Sequence, residues 1–350
     1  MILVYRYRVK SLNGLLNKQA RAVSFVWNYC NDRQKDALKW GRRWLTGFDL
    51  NKLTTGSSKE LGLHSGTVNA VCEQYAKSRS QKKRPFLRYR GRKSLGWVPL
   101  KGRDLKETPH GFHFHGREFK VFKSRELPAG ARIKDGTNFS RDARGNWFLN
   151  VCIEAPDVEA HAPVRGVGID LGLKDFATLS TGEKIENPRH FRHLQEALAK
   201  AQRARKKRQA TNIHASIANA RRDFHHKAAL SIVRRFDYIA VGNVSAARLA
   251  KTSMAKSVLD AGWSSFRDML RYKAIAHGAW YEEVNEAYST QVCSACGAMP
   301  PQRPKGIADL GIRQWVCGAC GCEHDRDVNA AVNLLARSGH RAPVEGIPVL

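Results

Sequence analysis

Acidic residues are scarce in this sequence. Against 60 Lys plus Arg there are only 31 Asp plus Glu, a net charge of +29 over 350 residues. That surplus calls for a polyanionic partner. Nucleic acid is the first candidate, because neutralising phosphates releases counterions and drives association. Long apolar runs are missing too. None approaches the roughly 18 residues that a membrane-crossing helix needs. Met1 to Lys10 carries arginines between its apolar residues and leads into no secretory apolar segment. The basic residues are spread along the chain rather than gathered in one cluster, which sets an anionic membrane aside. An intracellular, cytoplasmic protein is therefore expected, in which the eight cysteines serve metal rather than disulfides. A His-hydrophobe-His motif with a tyrosine nucleophile is absent as well: His113-Phe114-His115 has no tyrosine partner motif, which argues against a strand-transferring transposase. The two histidines alternate along a strand and read as surface residues.

The stretch richest in chemistry is Tyr288 to Leu335. Cys293 and Cys296 form one C-x-x-C pair, and Cys317 and Cys320 a second. Two such pairs can close a tetrahedral sulfur cage around one structural Zn²⁺, leaving no open position for reaction. Cys322 is a spare that could replace Cys320; Cys30, Cys72 and Cys152 sit among apolar neighbours as core residues. Behind the cage come Asp325, which suits a helix cap, and Asp327, and then Val328, Ala331, Val332 and Leu335 at helical spacing.

Taken in order, residues 1 to 10 alternate as a strand. A helical stripe runs from Leu12 to about Gly47, and a second helix from about Ser65 to Ser80. Gln81 to Lys101 interleaves cationic residues with Phe86, Tyr89 and Trp97. Cations of this kind hold phosphates while aromatics either stack on bases or build a small core. Lys82, Lys83, Arg84, Arg88, Tyr89 and Arg90 are its candidate nucleic-acid contacts. Short strands follow to about Pro156, and the region reads as a small antiparallel β barrel into which the helices are inserted. After a linker at His161-Ala-Pro-Val, the strand Val167 to Ile169 delivers Asp170, and a second strand, Phe176 to Ser180, returns. Strand, acid, turn and strand open a ribonuclease H fold, with Asp170 as a metal ligand. Phe191 to Phe236 is a long polar helical region expected to break near Ala210 to Ile213. From His190 to Lys227 it holds ten Lys or Arg against two acids, and Arg203, Arg205, Lys206, Lys207 and Arg208 form its densest cationic run. Asp237 to Val241 is a buried strand ending at Gly242-Asn243. Val258 to Ala276 reads as one amphipathic helix, and AWYEEVNEAYSTQ as a strand carrying Glu282, Glu283 and Glu286.

The motifs GIDLGLKDFATLSTG, DYIAVGNVS, KSVLDAGWSSFRDMLRYKA, YSTQVCSACG and CGACGCEHDRDVNAAVNLL together resemble the TnpB family, the RNA-guided nucleases of insertion sequences related to type V CRISPR effectors. The resemblance covers residues 165 to 335; the N-terminal half matches in layout only. It implies a multidomain α+β chain: a wedge β-barrel domain (1–10 and 81–160), a helical recognition domain (11–80), a RuvC-like, ribonuclease H-type α/β nuclease domain (161–288 and 323–337), a zinc-binding insert (289–322) and a flexible tail (338–350). It implies a guide RNA, double-stranded target DNA beside a short adjacent motif, action at the prokaryotic nucleoid, and two catalytic Mg²⁺ ions held by three acids. Asp170 matches the first acid and Asp327 the third. The second departs from the pattern, because Gly242 stands where the family carries a glutamate. Either the site is dead and the protein is an RNA-guided repressor, or the acid has moved to the neighbouring strand, with Glu286 as first choice and Glu283 as alternate.

Overall fold

The structure is a computed structural model that describes residues 1–339 except 157, 161, 306–308 and 310. It divides into two compact units, Met1–Pro156 and Asp157–Leu350. No helix among the described residues is long and apolar enough to cross a membrane.

In the first unit, β1 (Ile2–Val9) is followed by α1 (Asn13–Lys39), α2 (Gly47–Leu53), α3 (Ser57–Leu61) and α4 (Ser65–Gln81). The strands then come in close order: β2 (Trp97–Pro99), β3 (Lys106–Thr108), β4 (Gly111–Phe114), β5 (Arg117–Phe122), β6 (Arg132–Ile133), β7 (Asn138–Arg141) and β8 (Trp147–Glu154). The ladder runs β2-β7-β8-β1-β5-β4-β3, with β6 also on β8. It is an open path between two three-residue edge strands, in the region expected as a small antiparallel β barrel. Leu16, Ala20, Val23, Val26 and Cys30 face the core from α1, three or four residues apart, and meet Val68, Val71, Cys72 and Tyr75 of α4. The expected helix to Gly47 stops at Lys39. Gly41 turns the chain at φ +64°, and Thr46 restarts it through a capping box with Asp49. Residues 84–96 join no strand ladder.

The second unit is built on β9 (Gly166–Leu171), β10 (Asp175–Leu179), β11 (Lys184–Glu186), β12 (Tyr238–Gly242) and β13 (Trp280–Val284), in the order β11-β10-β9-β12-β13. Strands β9, β12 and β13 are parallel; β10 runs antiparallel to β9, and β11, antiparallel to β10, returns to the direction of β9. Between β11 and β12 lie α5 (His190–Arg203) and α6 (Lys207–Val233); between β12 and β13 lie α7 (Ala246–Leu249), α8 (Ala255–Ala261) and α9 (Trp263–Ala276). A small hairpin, β14 (Gln314–Val316) and β15 (Glu323–Asp325), leads into α10 (Arg326–Arg337).

Alternation gives this sheet two different faces. Val167, Ile169, Ile239 and Val241 share a core with Ala229 and Ile232 of α6 and with Phe266 and Leu270 of α9. Ala240 and Val284 point the other way, onto Leu334 of α10. Gly168 faces α10 as well. A β-carbon there would stand 1.9 Å from the Ala331 carbonyl oxygen, so glycine is what lets α10 lie against β9.

Two helix boundaries differ from the expectation. The α5–α6 break falls at 204–206, where Arg205 takes φ +53°, rather than at 210–213. The helix read over 258–276 breaks at Gly262, whose φ of +66° ends α8 and opens α9. The strand AWYEEVNEAYSTQ ends at Val284, short of Glu286. Of the expected tail, 340–350 lies outside the described residues, as does His161 of the expected linker; Gly339 donates its N–H to Glu282, 3.1 Å away.

Candidate active site

Asp170 sits two residues beyond Gly168 on β9, so its side chain emerges on the face that α10 covers. The residue is half-buried, so part of its surface stays open. Burial first, and then the Asp327 and Glu286 carboxylates, push its carboxyl up to about 7 against the opposing pull of Arg326 and Arg313. Three acids from distant parts of the chain thus converge there.

Asp327 arrives on the first turn of α10. Asp325 caps that helix, its Oδ1 accepting the N–H of Asp327 and of Val328, both at 3.0 Å. Lys184 of β11 donates to the other oxygen of Asp325 at 2.6 Å, which ties the cap to the sheet edge. Asp327 itself accepts from one nitrogen of Arg313, at 2.9 and 3.3 Å to its two oxygens. The backbone fixes that contact: Arg326 N–H donates to the Arg313 carbonyl at 2.7 Å, immediately before the hairpin starts.

Glu286 comes from beyond the end of β13. Gly242 pairs with Val284, and Asn243 N–H donates to the Val284 carbonyl at 2.9 Å, extending the ladder by one bond. The chain then turns, with Ser289 N–H donating to the Glu286 carbonyl at 3.0 Å. The turn folds the Glu286 side chain back over Gly242. Its Oε2 lies 3.4 Å, and its Cβ 3.6 Å, from the place where a β-carbon of residue 242 would be. The carboxylate thus stands over the site from which a side chain on residue 242 would project. Burial raises the Glu286 carboxyl and Arg267 partly offsets it.

Glu283, the alternate second acid, faces the other side of the sheet. It pairs with Arg267 at 3.2 Å and with Arg271, and accepts from the Tyr281 hydroxyl at 3.0 Å. Two guanidiniums neutralise it toward α9. No bulge brings it and Glu286 together, because Glu286 lies outside the strand where parity applies.

The three acids offer hard oxygen donors, with Arg313, Arg326 and Arg267 facing them; among the described residues, the one group of three or more side chains close enough to share a metal ion is made of cysteines. The cysteines form a separate group. The sulfur atoms of Cys293, Cys296, Cys317 and Cys320 all lie within 4.8 Å of one another, so they could hold a metal ion such as zinc. The Cys293–Cys320 and Cys296–Cys317 separations of 3.7 and 3.8 Å match the edge of a tetrahedron with Zn–S bonds of about 2.3 Å. Cys322 is outside the group, its thiol turned to the Glu323 carbonyl. His324 places Nε2 3.0 Å from the Cys293 sulfur, where it can support a thiolate ligand. On the other side, Asn329 and Asn333 of α10 both donate to the carbonyls of Ser289 and Val292. The cysteine loop and the helix that carries Asp327 are therefore hydrogen-bonded together.

Of the candidate nucleic-acid contacts, Lys82, Lys83, Arg84 and Arg88 are exposed, as are Arg203, Arg205, Lys206, Lys207 and Arg208 at the α5–α6 turn. None of the five residues at that turn is in an ion pair with a described residue. Arg90 has a different task. Its guanidinium donates to the Leu95 carbonyl at 2.8 Å and lies over the rings of Trp27 and Trp97, so it is a structural residue more than a phosphate contact. Arg313 is the site residue that sequence reasoning passed over; it lies between the two cysteine pairs with no spacing signal of its own.

Comparison with known proteins sets this geometry in context. A family model described as "Cas12f1-like, TNB domain" matches residues 263–334, and one described as "Probable transposase" (OrfB_IS605) matches residues 150–253. A protein of Streptomyces pristinaespiralis named "Putative RNA-guided DNA endonuclease" is 38% identical over 227 residues, 61% of this chain and 55% of its own. InsQ of Escherichia coli K12, with the same description, is 28% identical over 225 residues, 56% of this chain and 54% of its own. A TnpB-like protein, L79 of Acanthamoeba polyphaga mimivirus, is 24% identical over 56% of this chain and 42% of its own. The chain spans about half the length of the curated relatives it matches.

Proposed function

Because the chain belongs to the TnpB family, we propose that it is an RNA-guided DNA endonuclease that hydrolyses phosphodiester bonds at a site formed by Asp170, Glu286 and Asp327. The observation that carries this reading is the Glu286 carboxylate folded over Gly242. Gly242 alone would favour the other reading, a guided repressor that binds without cutting. An acid returned to the same place supports the enzyme.

The three carboxylates are the ligands that two Mg²⁺ ions would take, and ions bound there supply an activated water and charge stabilisation at the leaving oxygen. The chain's own residues set the conditions for this. Burial and mutual repulsion of the acids raise the Asp170 carboxyl, so a cation bound there would displace its proton and relieve the repulsion. Asp325 and Lys184 hold the first turn of α10 so that Asp327 stays opposite Asp170. Arg313 balances the charge of Asp327 and presents a guanidinium beside it, where a phosphate would lie. One Zn²⁺ on the four cysteines is structural, since four thiolates fill its coordination. The exposed cations of 82–88 and 203–208 are proposed to lie along guide RNA and double-stranded target DNA beside a short adjacent motif. A cytoplasmic, nucleoid-associated setting goes with that reading.

The test is to co-purify the protein with its RNA, sequence that RNA, and offer matched DNA with Mg²⁺. Cleavage that disappears in Asp170→Ala is expected. Tight binding of matched DNA with no cutting under any metal would replace the enzyme by the repressor.

A further inference from the structure

We propose that Phe86 and Tyr89 form a stacking site for an unpaired nucleobase, flanked by Lys35, Arg84 and Arg88 as contacts to the adjoining phosphates. The proposal rests on the nucleic-acid reading of the chain but needs no cleavage.

Residues 86–90 belong to no sheet, yet their backbone is firmly held, because α1 supplies the missing partners. Asn31 accepts the Leu87 N–H at 2.9 Å. Trp27 donates its indole N–H to the Arg88 carbonyl at 3.2 Å. Asn28 accepts the Arg90 N–H at 2.7 Å and donates to the Arg90 carbonyl at 3.0 Å. Leu87 is pressed into the core below. The segment is thus laid along successive turns of α1, with Phe86, Arg88 and Tyr89 exposed on either side of the buried Leu87.

Two of those side chains are aromatic rings left in solvent, Phe86 at 46% and Tyr89 at 44% exposure. Both lie beside one cation. The Lys35 ammonium is 5.1 Å from the Phe86 ring centre and 4.5 Å from that of Tyr89. The Tyr89 hydroxyl is fixed from two sides: Lys35 donates to it at 3.0 Å, and it donates to Asp32 at 2.5 Å. The ring is therefore oriented before any ligand arrives. Around it opens a cavity of about 420 Å³ lined by Lys35, Arg84, Phe86, Leu87, Arg88 and Tyr89. Exposed rings beside three cations fit a base with its phosphates, since every base has a face to stack and a charge to neutralise on either side. A base that takes the ring face displaces the Lys35 ammonium toward the phosphate. Asp32 at the rim opposes a phosphate on its own side, so the backbone of the ligand would pass along Arg84 and Arg88. A continuous duplex presents no base face and gains only the cations.

The experiment uses the full chain and three fluorescently labelled probes of one sequence: single-stranded RNA, single-stranded DNA and the RNA duplex. Binding is read by anisotropy at several salt concentrations. Tyr89→Ala and Phe86→Ala are expected to weaken single-strand binding about tenfold while leaving the duplex nearly unchanged. Tyr89→Phe, which keeps the ring, should bind nearly as the parent does. Arg88→Ala should weaken all probes and lower the salt slope by about one ion. Selective loss on either single strand supports the site, and the probe that loses more identifies the nucleic acid. Equal loss on the duplex, no loss on either strand, or loss in Tyr89→Phe equal to that in Tyr89→Ala overturns it. Melting curves of each variant separate lost binding from lost folding. A protein that binds as described but never cuts DNA would count against the nuclease reading and leave this site intact.

Discussion

The carboxylate of Glu286 lies over Gly242: 3.4 Å separates its Oε2 from the point where a β-carbon on residue 242 would be. Strand β12 stops without an acid, and the residue two positions past the end of β13 returns one to the same spot.

Glu286→Gln is therefore expected to lower cleavage roughly 100-fold or more while leaving DNA binding unchanged. The reciprocal swap is the sharper measurement. Gly242→Glu combined with Glu286→Ala vacates the space and supplies the acid from β12, so part of the lost cleavage should return. If the double variant cuts no better than Glu286→Ala, the positional equivalence is wrong.

Glu283→Gln should behave in the opposite way. Its partners are Arg267 and Arg271 on the α9 side, so cleavage should stay within a few-fold of the parent. Stability should fall by about 1–3 kcal/mol, because Arg267 is left with its charge unpaired in a half-buried place. Urea titration alongside a cleavage assay separates the two effects.

Arg313→Ala removes the guanidinium from Asp327. The expected outcome is a loss of cleavage of about 10- to 100-fold with little change in guide RNA affinity. Arg313→Lys should recover only part of it, since a single ammonium cannot reproduce the planar donor. Unchanged cleavage in Arg313→Ala would remove Arg313 from the site.

Zinc content should be one ion per chain by elemental analysis, falling to near zero in Cys293→Ser. Because Asn329 and Asn333 bind the cysteine loop to α10, that variant should lose cleavage as well. Cys322→Ser should keep both metal and activity. A Cys293→Ser protein that retains its zinc would contradict the four-thiolate assignment.

Acid stability should depend on His225. Burial holds its pKa down at about 4, against 6.5 in the unfolded chain, with the Ala261 carbonyl opposing the shift. The unfolded chain therefore binds the proton first, and stability present above pH 6.5 is lost as pH falls toward 4. The loss amounts to about 3 kcal/mol. His225→Gln should flatten the thermal-melting slope in that window; an unaltered slope would place the titration elsewhere.

The sequence was most legible where chemistry leaves a spacing. The paired cysteines and Asp170, Asp325 and Asp327 could all be placed on elements in advance. So could the buried strands read at Val167–Ile169 and Asp237–Val241, whose apolar runs admit little else; the second begins one residue later, at Tyr238. Breaks were less legible. The turns at Gly41, Arg205 and Gly262 depend on single residues at positive φ, and helical periodicity continues across each of them. Arg313 was invisible for a different reason. Its partner lies fourteen positions on, and only the pairing of β14 with β15 brings the two together. The choice between Glu283 and Glu286 was open because the sequence does not show where β13 stops, and parity along a strand means nothing past its end.

The absent side chain at Gly168 has a consequence for how such a centre can be altered. With a β-carbon there only 1.9 Å from the Ala331 carbonyl, even alanine would have to lever α10 off the sheet. Asp327 rides on the first turn of that helix, so a methyl group on a residue with no side chain of its own, two positions before Asp170, would open the gap between two acids. The spacing of the ligands is in this sense gauged by a hydrogen atom, and redesign of the pocket has to begin by leaving that atom where it is.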